Sequence, residues 1–63
     1  MTAIGQSELR IRINTETAAF ADDPRSECAR ILREIADLIE RGTSFPINVM
    51  DANGNTVGAV RLH

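Results

Sequence analysis

Few residues in this chain carry reactive chemistry, and their spacing decides how much they can do. Cys28 is the single thiol and His63 the single imidazole. A nucleophilic pair would need the imidazole held against the sulfur as an oriented base. His63 is the last residue of the sequence and is expected to be frayed. Cys28 falls on an apolar helical stripe, where a free thiol behaves as a small buried hydrophobe. Asp51-Ala52-Asn53-Gly54-Asn55 sets oxygen ligands at alternate positions, like the start of a calcium loop. An EF-hand requires glycine sixth and glutamate twelfth. Here the glycine is fourth and the twelfth residue is Leu62, so a hairpin turn accounts for the segment. Asp22 and Asp23 are adjacent carboxylates before Pro24, the pattern of a helix cap. Gly5, Gly42, Gly54 and Gly58 are too scattered for a phosphate-binding loop. These residues predict a protein that is not an enzyme and has no cofactor and no metal.

The elements that position these residues follow from periodicity. From Glu8 to Asn14 apolar and polar residues alternate, with Leu9, Ile11 and Ile13 on one face. That period of two predicts a half-buried strand. A connector follows in which Phe20 is expected to plug the end of the core. From Pro24 to Arg41 the apolar residues Cys28, Ile31, Leu32, Ile35, Leu38 and Ile39 form one helical stripe. The opposite face carries Glu27, Arg30, Arg33, Glu34, Asp37, Glu40 and Arg41, with opposite charges four apart. Gly42 is expected to end the helix. Alternation then returns with Phe45, Ile47 and Val49, and Asn53-Gly54 signals a type I′ hairpin. Centring the turn there pairs Met50 with Val57 and Ile47 with Val60.

The predicted architecture is α+β: β-α-β-β, a three-stranded, mainly antiparallel sheet with one helix on one face, over residues 8–63. Residues 1–7 are expected to be a flexible tail. Pro46 cannot donate to a ladder, which places the second strand at an edge and gives the order 2-3-1. The alternative order, 1-2-3, contains a parallel crossover.

One helix covers one side of such a sheet. The other side is expected to carry Arg10, Arg12, Asn48, Met50, Val57, Ala59 and Arg61. Antiparallel sheets commonly leave one face to water. Arginine and methionine are also enriched at protein interfaces, which makes Arg10, Arg12, Met50, Val57 and Arg61 the candidate protein-binding residues. RNA-binding sheets stack bases on aromatics, and this face has none, so nucleic acid is disfavoured.

Composition bounds the partners. The chain has 63 residues, seven Arg and no Lys against nine acids, and a formal net charge of −2. That balance does not suit a nucleic-acid-binding tail or a polybasic membrane anchor. One cysteine allows no internal disulfide and no cysteine-based zinc site. No basic segment precedes an apolar run, so neither a signal peptide nor a membrane span is expected, and the protein is expected in the cytoplasm.

The run Ile11-Arg12-Ile13-Asn14-Thr15-Glu16-Thr17-Ala18-Ala19-Phe20, followed by Asp23-Pro24, resembles the opening of small accessory proteins of tailed phages and prophages of proteobacteria. The helix segment Ala29 to Asp37 and the run Asp51 to Gly58 are similar to that group too, while Thr43 to Met50 departs from it. The resemblance implies a phage origin and action in bacterial cytoplasm, and brings no functional residue with it. The expectation is therefore a non-enzymatic binding protein that inhibits a bacterial antiviral complex in the manner of anti-CRISPR proteins, through contact with a host protein complex. The alternative is a homo-oligomeric structural or assembly accessory, with a homodimer as its simplest form.

Overall fold

A computed structural model describes residues 8–63 of the chain. The tail expected over residues 1–7 lies outside the described residues. The elements are β1 (Leu9–Ile13), a 3₁₀ turn (Ala18–Phe20), α1 (Pro24–Glu40), β2 (Ile47–Met50) and β3 (Thr56–Leu62). The sheet has the order β1-β3-β2, with both pairs antiparallel. The fold is thus a small α+β domain with one helix against a three-stranded antiparallel sheet; β2 sits at an edge as expected, although Pro46 lies just before the strand and not in its ladder.

Local chemistry explains the helix ends. The Asp23 carboxylate accepts from the Ser26 N–H at 3.0 Å, and Pro24 occupies the first turn. At the other end Gly42 takes a φ of 84°, its N–H donating to Ile39 O and that of Thr43 to Leu38 O. This is the Schellman arrangement, in which glycine enters the left-handed region without a Cβ penalty. The core joins Phe20, Ile31, Ile35, Ile47, Val49, Val57 and Val60, with Val60 wholly enclosed at the centre of β3.

Three expectations are corrected by tertiary packing. The first concerns β1. Leu9, Ile11 and Ile13 share the helix-side face, but Leu9 and Ile11 are 46% and 41% exposed and only Ile13 packs on the core. The helix lies against the 3₁₀ turn and β2. It leaves the Leu9–Ile11 part of that strand's apolar face open.

The second concerns the hairpin. Among the described residues no non-glycine residue has positive φ, so Asn53 cannot supply a type I′ turn. Instead the Asp51 N–H donates to Asn55 O and the Gly54 N–H to Asp51 O, with Gly54 at a φ of 85°. This is a type I turn closed by a left-handed glycine, a loop one residue longer than the expected one. A bulge then absorbs the extra residue. Met50 pairs with Thr56 and Val49 with Gly58, so Val57 is skipped. The pairs Val49 with Gly58, Asn48 with Ala59 and Ile47 with Val60 return to the expected register.

The bulge also turns Val57 from the open face into the core, where it is 6% exposed. The expected Met50–Val57 surface pair does not form. Val57→Ala should therefore cost about 2 kcal/mol in urea unfolding, as buried truncations do. A residue on the open face would change stability by less than about 0.5 kcal/mol, and a result in that range would put Val57 back on the surface.

The third concerns Glu27, assigned to the solvated helix face. It is 8% exposed, for reasons that lie in the hairpin turn.

Candidate functional site

The open side of the sheet is the face singled out by the sequence. Cross-strand pairing sets Arg10 directly opposite Arg61, and Arg12 opposite Ala59. Ala59 in turn pairs with Asn48. With Asn14 and Thr56, these arginines line an open trough of about 520 Å³ that ends at His63. Small residues make its floor, since Gly58 and Ala59 leave the long arginine side chains standing as walls. Arg10 is tied to Glu8 by a 2.8 Å ion pair in which both side chains are more than half exposed. Such a pair contributes little to stability. Arg12 and Arg61 make no ion pair among the described residues.

Of the five candidate contact residues, Arg10, Arg12 and Arg61 come together on this face. Met50 is 51% exposed on edge strand β2 and pairs with Thr56 at the trough's border, but does not itself line the trough. Val57 also borders the trough but is buried, 6% exposed, as part of the core. His63 is not frayed, because its N–H and C=O exchange hydrogen bonds with Glu8 at 2.9 and 2.8 Å. Cys28 packs on the core beneath the helix while His63 borders the trough, so the sheet separates thiol from imidazole.

A second cluster was not foreseen from periodicity. Asp51, 5% exposed, opens the hairpin turn and collects four hydrogen bonds. Its Oδ1 accepts from the N–H groups of Asn53 and Asn55, both at 2.9 Å. Its Oδ2 accepts from Thr17 Oγ1 at 2.6 Å and from Asn55 Nδ2 at 3.0 Å. These donors, Thr17 foremost, hold its pKa down at about 2 against burial. Glu27 reaches the same turn from α1. Its carboxylate takes a two-pronged contact from Arg30 at 3.0 and 2.9 Å and accepts from the Ala52 N–H at 2.8 Å. The Arg30 contact lowers the Glu27 pKa, and Glu27 raises that of Arg30.

The two carboxylates bind the connector, the helix and the hairpin into one unit. Both are held ionised with their oxygens occupied, so neither serves as a proton donor near neutral pH. The signal in the sequence was Asp51 beginning an Asp-x-Asn-Gly-Asn turn, where an aspartate cross-bonds backbone N–H groups. Nothing local marked Thr17 or Glu27 as its companions.

Among the described residues no group of three or more His, Cys, Asp or Glu side chains is gathered in a way that could hold a metal ion. No described helix is long and apolar enough to cross a membrane. Comparison with protein-family models, with curated proteins and with solved structures gave no match.

Proposed function

We propose that this protein is a non-enzymatic binding module that docks Arg10, Arg12 and Arg61 on an acidic surface of a partner protein. The observation that carries the reading is the Arg10–Arg61 pair. Like charges directly opposite on a sheet are destabilising, and the buried carboxylates of Glu27 and Asp51 already join the other elements, so the fold itself has no use for the pair. A contact surface does, because arginine presents five donors in a planar fork that matches carboxylates. With the phage origin that the sequence resemblance implies, the partner is a host protein complex, and the activity is inhibition of an antiviral defence complex in the manner of anti-CRISPR proteins.

The test separates contact from stability. Arg61→Glu should raise folding stability by about 0.5 kcal/mol, since it turns a like-charge pair into an opposite one. The same change should abolish capture of a defence-complex subunit from lysate of a defence-competent proteobacterium, with mass spectrometry naming what is retained. Undiminished capture by Arg61→Glu and by Arg12→Glu would overturn the reading. Recovery of the protein alone would favour the second reading, a self-assembling accessory, whose support is the open edge of β1.

A further inference from the structure

The outer edge of β1 brings three features together. The first is its backbone. Glu8 and His63 exchange both N–H···O=C bonds, and the Asn14 N–H donates to Val57 O at 2.7 Å. Hydrogen-bonded residues alternate along an antiparallel ladder. Glu8, Arg10, Arg12 and Asn14 are therefore turned toward β3, and the N–H and C=O groups of Leu9, Ile11 and Ile13 point outward. No strand among the described residues lies on that side. The second feature is an apolar ledge on the helix side, where Leu9 faces Leu62 across the ladder. Leu9, Ile11 and Leu62 are each at least 40% exposed because α1 does not reach them. The third is charge, since Arg10 and Arg12 stand on the opposite side of the same strand. Sheet edges are usually protected by charged side chains, proline or a bulge; β1 has no proline and no bulge, and its two charges, Arg10 and Arg12, stand on the face away from the ledge.

We infer that this edge takes up an extended strand of a partner protein in which apolar and acidic residues alternate. The incoming strand would complete the outward groups of Leu9, Ile11 and Ile13, lay its apolar residues along the ledge and set its carboxylates against Arg10 and Arg12. Main-chain hydrogen bonds supply the affinity in such strand addition and alternate side chains supply the choice of partner. Charge complementarity selects this occupant over a second copy of the chain. Antiparallel self-pairing about Ile11 would place Arg10 against Arg12 of the other copy, a repulsive contact. The inference rests on the proposed arginine contact and adds where the partner lies and in what conformation.

The probe is a short synthetic peptide alternating Val and Glu, added to the full chain and followed by amide hydrogen exchange in NMR spectra. The amides of Leu9, Ile11 and Ile13 should be protected about tenfold, with a Kd on the order of 100 μM. A peptide of the same sequence N-methylated at alternate residues, and one alternating Val and Lys, should each bind at least about tenfold more weakly. Ile11→Pro removes an outward donor without touching the ladder to β3, and with an unchanged circular dichroism spectrum it should weaken binding to a similar degree. Equal binding of the N-methylated peptide would overturn the inference. Charge-dependent binding without protection of the three amides would overturn it as well, while leaving the arginine face intact as a contact. Protection that survives Arg10→Glu and Arg12→Glu would instead sink the arginine reading and keep only strand addition. Protection that rises with protein concentration and needs no peptide would give the edge to a second copy.

Discussion

Gly58→Ala is expected to cost about 3 kcal/mol or more, which for 63 residues is much of the folding free energy. Gly58 lies in the central strand, opposite Val49 on one side and Ile13 on the other. A Cβ at this position would overlap the carbonyl oxygen of Arg12 and stand 2.8 Å from its carbon and 3.2 Å from the Ile13 Cα. All of these are backbone atoms, so no side-chain rotation relieves the clash. β1 must move away from β3, and the hydrogen bonds between them weaken with it. The bulge at Val57 is the immediate neighbour, and a glycine beside a bulge or at a close backbone approach is the usual device. Urea unfolding should show a lowered midpoint. Gly54→Ala is the control: its φ is positive but its Cβ would meet open space, and strain of that kind costs about 1 kcal/mol. If the two variants proved equally stable, the tight approach of β1 to Gly58 would be refuted.

The second large effect is at Asp51. Asp51→Asn keeps the shape but removes the charge and half of the acceptor capacity, while four donors from Thr17, Asn53 and Asn55 remain in place. Unpaired donors are costly to leave behind, and the thermal midpoint at pH 7 should fall by roughly 10 °C. The pH dependence identifies the cause. The carboxylate's pKa falls from 3.8 to about 2 on folding, so the unfolded chain binds the proton more readily. The stabilisation from this group is complete above pH 3.8 and fades as pH drops toward 2. The gap between parent and variant should accordingly be constant near neutrality and close over that interval. The Glu27 carboxylate, also lowered, is common to both proteins and cancels from the difference. A gap that did not change with pH would mean that the Asp51 charge contributes nothing to the turn.

Neither prediction could have been read from periodicity, although much of the fold could. Leu9 to Ile13 and Ile47 to Val49 show a period of two, and Cys28 to Ile39 a period of 3.6, because side-chain direction repeats with the backbone's own geometry. Asp23-Pro24 and Gly42 act through their own backbone and first neighbours, so both helix ends were legible. The edge position expected for β2 from Pro46 was right, although Pro46 itself precedes the strand and its missing donor does not act in the ladder. The arginine face followed from the same alternation: Arg10, Arg12 and Arg61 share a side because each lies an even number of residues from its companions or is paired with one of them.

Tertiary structure decided the rest. The extra residue in the loop at Asn53 and the bulge at Val57 offset each other, so the distant register was right while the residues between were misplaced. Sequence alternation cannot reveal such a pair, since each shifts the pattern by one residue in opposite senses. The exposure of Leu9 and Ile11 depended on where α1 came to rest; α1 is joined to the hairpin by the Glu27–Ala52 bond, and the hairpin to the connector by the Thr17–Asp51 bond. Those bonds join residues 34 and 25 positions apart. Periodicity reports what a segment does with its own backbone. Which polar groups meet, which glycine must stay bare and which strand edge is left open are properties of segments brought together, and they exist only in the folded chain.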